Sequence, residues 1–410
     1  MRFQKSSRFV ILSLLLISLT QPSCSGPAKN ANDFVNCQHQ VSPTLIKPDF
    51  KFPGDLLFMK RDTSEIVAFN GETHEMISIY KPPIDAFVSP LSQDGNTLLV
   101  SYSKPSDKEN LVIETLSNLR VVETKSIPFP VWTKNEEKPN SWLSVDWANK
   151  EYLLGVLYDE QHNGDRIWET WLLNPYQSKW KSLSSLDNTL DPAEQSGFSI
   201  SPDLTKVLYV SQKFQLVLYD INQNKILWEY GDYDGINPVL NSPSLADATW
   251  SKDGSMLAMP ISNHANQDQP GTLILDQSGK ILHVVDFGNR EYGLSWSNDD
   301  KFLAFWGNQI TELTTSTSDW RSIIRVMEIS TRLVRDLCIL NENFHPWGHI
   351  FWSPDQEFLA YTVQDYNTKR DELLIQKLID PQLRVIHLYD ETQNFDFLGW
   401  SQEHWNKARQ

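Results

Sequence analysis

The sequence predicts an all-β protein, a seven-bladed β-propeller of four-stranded antiparallel blades. Three observations predict it. A phrase of the form Trp-Ser-x-Asp-Gly followed by Leu-Ala recurs along the chain. Neighbouring copies stand roughly 46 to 56 residues apart, a period that belongs to repeat architectures. Apolar runs of about four to six residues, bounded by turn residues, fill the intervals as strands do.

The clearest copies are Trp250-Ser251-Lys252-Asp253-Gly254, Trp296-Ser297-Asn298-Asp299-Asp300 and Trp352-Ser353-Pro354-Asp355. Each precedes a Leu-Ala pair: Leu257-Ala258, Leu303-Ala304 and Leu359-Ala360. Weaker copies begin at Ser92 and Ser201, Trp147-Ala148 is a degraded one, and Trp400-Ser401 is truncated. Ser, Pro, Asp and Gly in this order suit a type I turn: Pro presets φ, Ser and Asp cap amides, and Gly takes the last position. Each copy therefore reads as strand, tight turn, strand. A second hairpin follows most copies, as in 216–220 with 226–228 and 273–276 with 281–282. Four strands in line make one propeller blade.

Six full copies begin near Phe87, Leu143, Gly197, Asp247, Leu294 and Ile350. A seventh, at 398–401, has only its first strand. Three strands without a leading copy stand at the other end, over 55–59, 65–69 and 76–80. Joined, they complete one blade from both termini and leave no open edge. The competing arrangements are an open stack of sheets and a six-bladed ring. Trp147, Trp250, Trp296, Trp352 and Trp400 share one repeat position and are expected to pack between blades.

The repeat resembles the propeller repeats of the TolB type, and more loosely the WD40 group, from about Asp55 to Ser401. The Trp-Asp ending and Gly-His pair of WD40 repeats are missing, which favours the TolB side. The resemblance implies a fold; such repeats serve as binding scaffolds and as accessory domains of peptidases.

Residues 1–25 read as an export signal. Arg2, Lys5 and Arg8 supply a positive start, and the apolar stretch 9–19 is too short to span a bilayer. Ser23-Cys24 resembles a bacterial lipoprotein box that would attach lipid to Cys24, although Gln21 stands where that box takes an apolar residue. Ordinary cleavage after Ser25 is the alternative. Residues 26–50, rich in Pro, Asn, Gln and Lys, read as a flexible tether. The propeller then spans 51–403, with a C-terminal tail over 404–410.

The net charge is −16. No Lys/Arg cluster of nucleic-acid type occurs, so nucleic acid is not an expected partner. With Cys24 lipidated, Cys37 and Cys338 remain, either as a disulfide or as two free thiols. No metal or cofactor is expected. His345 and His349 have a His-x3-His spacing, but Pro346 and Gly348 between them oppose the helix such a site uses. No nucleophile elbow of the Gly-x-Ser-x-Gly kind is present.

Ligand-binding residues are sought on the face opposite the Ser-x-Asp turns, where the long connections gather. Tyr233, Asp234, Arg290, Tyr292, Trp306, His345 and Trp347 are the candidates, mixing aromatic and charged character. Trp132 and Trp320 are further tryptophans placed in long connections. The expected function is an extracytoplasmic, lipid-anchored, non-catalytic scaffold for an envelope protein, peptide or glycan. The alternative is an envelope enzyme, a glycan lyase or hydrolase, with its acids in the central mouth.

Overall fold

In the computed structural model the recurring phrase folds as a type I turn at five places. Backbone hydrogen bonds run from Gly95 to Ser92, Leu204 to Ser201, Gly254 to Ser251, Asp300 to Ser297 and Gln356 to Ser353, at 2.7–3.1 Å. The structure describes residues 34, 40–41, 43–92, 94–104, 106–117, 120–131, 141–160, 166–183, 198–210, 216–230, 248–261, 271–286, 291–310, 320–340, 344–365, 367–380, 383–387, 389–390, 393–402 and 404. All belong to the unit that begins at Ala31.

The turn serine acts in both directions. Ser353 Oγ donates to Asp355 (2.6 Å) and accepts the Phe358 amide (3.0 Å). Ser297 and Ser251 repeat this with Asp299 and Phe302, and with Asp253 and Met256. The last turn position is left-handed. Gly95 and Gly254 take φ of 69° and 72° there, and Leu204, Asp300 and Gln356 take 57–60° without glycine's freedom. The turn is thus set by its Ser–Asp pair, not by glycine alone.

The described strands form seven sheets. Blade 2 comprises Phe87–Val88, Leu98–Lys104, Asp107–Ser117 and Arg120–Pro128; blade 3, Ser141–Trp147, Leu153–Glu160, Arg166–Asn174 and Lys179–Ser182. Blade 4 comprises Phe198–Ile200, Lys206–Val210, Leu216–Asp220 and Lys225–Tyr230; blade 5, Thr249–Trp250, Met256–Ile261, Gly271–Asp276 and Ile281–Asp286. Blade 6 comprises Glu291–Trp296, Phe302–Ile310, Trp320–Glu328 and Val334–Leu340; blade 7, Phe344–Trp352, Phe358–Asp365, Arg370–Lys377 and Leu383–His387. From blade 4 to blade 7 and on to blade 1 the first strands lie beside one another, which puts them innermost.

Blade 1 joins the termini. Gln393–Trp400 pairs antiparallel with Asp55–Lys60, Leu56 opposite Trp400, and Ile66–Asn70 and Met76–Tyr80 follow. Across the chain break the blade rebuilds the turn's bonds: Ser401 N donates to Asp55 O and Asp55 N to Ser401 Oγ, both at 2.8 Å. His404, at the start of the expected tail, bonds the buried Asp55 carboxylate at 2.9 Å.

Seven apolar clusters hold the ring, one in each interface between neighbouring blades. The cluster between blades 7 and 1 puts Phe358 and Ile375 against Phe52, Phe58 and Trp400, so the closing interface is as apolar as the rest. The repeat tryptophans Trp147, Trp250, Trp296, Trp352 and Trp400 are 5–8 % exposed. Three reach the preceding blade with the indole N–H: Trp147 to Pro90 O, Trp296 to Thr249 O and Trp352 to Ser295 O, at 2.9–3.0 Å. A wide ring with an indole donor at its inner edge gains packing and a satisfied hydrogen bond together.

Part of the expected tether belongs to the propeller. Gln40–Val41 adds a fifth strand, in parallel, to the outer edge of blade 6, and Thr44–Leu45 does the same on blade 7. Phe34 is 5 % exposed, 5.1 Å from the Phe302 ring and inside the cluster between blades 6 and 7. Two-residue parallel strands carry no alternation, so composition alone reads this stretch as a linker. Cys24 and Cys37 lie outside the described residues. Cys338 sits in the outer strand of blade 6, beside Ile339, which pairs with Gln40.

Candidate functional site

Strand direction gives the propeller two unlike faces. In blades 2 to 7 each first strand runs towards the turn that joins it to the second, so these turns share one face. The links from second to third strand, and from blade to blade, share the other.

The turn face is interlocked. Asp300 of blade 6 accepts the Lys252 and Asp253 amides of blade 5 at 2.7 and 3.0 Å. Lys252 Nζ donates to Asn298 Oδ1 at 2.5 Å. Burial lowers the pKa of the Lys252 ammonium, against the pull of Asp300 and of Asp94 from blade 2. Burial likewise raises the Asp300 carboxyl, which the two amides partly offset. Asn149 donates to Pro202 O at 2.7 Å and Asn298 to Ser353 O at 3.2 Å, linking further neighbouring turns. These polar groups are spent on one another.

Binding is expected on the loop face. Tyr233, Asp234, Arg290 and Trp132 lie outside the described residues. Tyr292 stands near the loop-side start of the innermost strand of blade 6, opposite Trp306. His345, opposite Gln364, stands at the equivalent place in blade 7, and Trp347 follows inside a bulge between Pro346 and Ile350. The backbone therefore brings Tyr292, His345 and Trp347 to the starts of two adjacent innermost strands. The His345–His349 segment is a bulged strand. His349, exposed, sits edge-on to Phe351 at 6.5 Å, and Phe351 edge-on to Phe397 of blade 1 at 4.7 Å.

Trp306 is a correction. Expected as an anchor in a long connection, it lies in the second strand of blade 6, 1 % exposed, among Ile324, Ile350 and Tyr361. Phe302–Ile310 extends past its apolar run because Gly307 to Ile310 stay paired with Trp320 to Ile323. The indole is held by core packing and offers no surface to a partner. Trp320 and Trp347 are likewise strand residues, not loop residues.

A charged network on the loop face escaped the sequence reading. Arg61, after the second strand of blade 1, donates to Asp396 at 2.7 Å and to Asp371 of blade 7 at 3.3 Å. Burial opposes the Arg61 guanidinium, but the two carboxylates prevail and hold its pKa up. Next to Asp371, the buried Glu372 meets His387 at 3.2 Å. Burial raises the Glu372 pKa, with His387 opposing and Asp365 adding to the rise. This pair joins the third and fourth strands of blade 7, away from the central mouth. Arg61 and Asp371 are 310 residues apart in sequence, and no spacing rule brings them together. Among the described residues no group of three or more His, Cys, Asp or Glu side chains is arranged to hold a metal. Nor is any helix among them long and apolar enough to cross a membrane.

No known protein family matches the sequence, and no curated protein matches it. Several solved structures are similar to this chain. The periplasmic gluconolactonase of Pseudomonas aeruginosa is 12 % identical, with a TM-score of 0.46 over 84 % of this chain and 98 % of that one. The Cps50 (Swd1) β-propeller domain of Myceliophteria thermophila is 14 % identical, with a TM-score of 0.44 over 83 % and 99 %. TolB of Acinetobacter baumannii is 11 % identical, with a TM-score of 0.40 over 82 % and 79 %. At this identity the likeness concerns the fold alone. The chain is a seven-bladed β-propeller, closed by its own termini.

Proposed function

We propose that this chain is an exported, lipid-anchored propeller that acts as a non-catalytic scaffold for an envelope protein, peptide or glycan bound on the loop face. One observation carries the reading: Tyr292, His345 and Trp347 stand at the loop-side starts of two adjacent innermost strands, while turns on the opposite face are interlocked. Aromatic side chains on rigid strands make anchors at small entropic cost, and truncating a central anchor costs a complex about 2 kcal/mol or more.

The test is a pull-down from solubilised envelope with the purified chain. Trp347→Ala should lose the captured partner, and Glu151→Ala, exposed on the turn face, should keep it. Capture that survives Trp347→Ala but not Glu151→Ala places binding on the wrong face. Anchoring is tested separately. Cys24→Ser should move the protein from the membrane to the soluble fraction, and unchanged fractionation removes the lipid from the account.

A further inference from the structure

The chain uses the outer edges of its own blades to bind extended peptide, and the ladder register shows where else this can occur. On blade 7, Thr44 lies opposite Arg384. Arg384 Nη1 donates to Thr44 Oγ1 at 2.7 Å, Thr44 Oγ1 donates to Leu383 O at 3.3 Å, and Ile46 N to Val385 O at 3.2 Å. One basic side chain and a few outer-strand carbonyls thus hold the added strand.

Counting from the residue that closes each turn gives the equivalent of Arg384 in every blade. In blade 7 the row is Ala360, Ile375, Arg384. In blade 6 it is Ala304, Val326, Arg335. In blade 3 it is Leu154, Leu172, Lys181. The remaining blades place Ile77, Glu123, Trp228 and His283 there. Burial and Arg332 disfavour the charged form of His283. Lysine or arginine therefore occupies the position in three blades, and two of these already carry a fifth strand. On blade 6 that strand lies farther along, opposite Ile339 and Leu340.

Blade 3 has the basic residue without the strand: among the described residues Lys179–Ser182 is the last of its sheet. Lys179 and Lys181 are both exposed and point to the same side, two residues apart. Trp180, between them, turns inward and donates to Pro128 O of blade 2 at 2.9 Å. We infer that the outer edge of blade 3 is a docking site for an extended acidic segment of a partner protein, which adds in parallel and sets a carboxylate opposite Lys181. Charge argues for this occupant, since two exposed lysines mark one edge of a chain whose net charge is −16. Strand addition supplies backbone hydrogen bonds, and the side chain opposite the lysine supplies selectivity. The site stands apart from the loop face and does not depend on the function proposed there.

The probe is a fluorescein-labelled peptide with the sequence of residues 40–47 carrying Thr44→Glu and Lys47→Glu, titrated into the full chain. Anisotropy gives affinity and amide hydrogen exchange gives position. Binding should slow exchange in 179–183. Lys181→Glu should weaken binding at least tenfold, Lys181→Arg should retain it, and Lys225→Glu on the outer strand of blade 4 should leave it unchanged. Matching melting temperatures establish that the variants are folded. In the peptide, Ile46→Pro removes the N–H that bonds the outer strand of blade 7 and should abolish binding. No protection in blade 3, equal binding by Lys181→Glu, or equal binding by the proline peptide would each overturn the proposal.

Discussion

At the scale of single residues, the turn serine does the most for the fold per atom. Ser353 is fully buried, donates to Asp355 and accepts the Phe358 amide. Ser353→Ala removes that amide's side-chain acceptor at a buried position, a loss of about 1–3 kcal/mol. Urea unfolding of the variant should show its midpoint fall with an unchanged slope, and an unchanged midpoint would mean the bond is dispensable. This role was legible because Ser and Asp stand at a fixed offset in every good copy. The left-handed Leu204, Asp300 and Gln356 were not, since only Gly announces that conformation in sequence. Nor does the repeat phrase show that Lys252 belongs to the contact between blades 5 and 6.

At the scale of elements, strands with local turn chemistry were readable and strands without it were not. The hairpins over 216–230 and 271–286 appear where their apolar runs and polar turns placed them. The two added strands at Gln40–Val41 and Thr44–Leu45 gave no such signal, because their pairing depends on edges assembled hundreds of residues later. The same holds for the Arg61–Asp371 contact and for the burial of Trp306. Phe34 gives this strap a measurable role. Phe34→Ala empties a site in the cluster between blades 6 and 7 and should cost about 3 kcal/mol, the range for a buried aromatic ring. A free tether predicts no change in the denaturation midpoint, so the two descriptions separate cleanly.

At the scale of the whole molecule, the ring depends on closure by its termini. Seven interfaces each hold an apolar cluster, and the one between blades 7 and 1 exists only because the last strand meets the first long one. The orphan strand at one terminus and the three unled strands at the other made this readable from sequence. The ligand was not readable, because the repeat specifies packing positions and leaves the loop face free to vary. The most direct test is to end the chain after Phe395, removing Trp400 and Ser401 with their bonds to Pro53 and Asp55. Trp400→Ala is the milder companion, expected to cost about 3–5 kcal/mol. If the ring closes through blade 1, the truncated chain melts lower by roughly 10 °C or more, in one transition that includes distant blades. A truncated chain that keeps the melting temperature of the intact one would contradict closure by the termini.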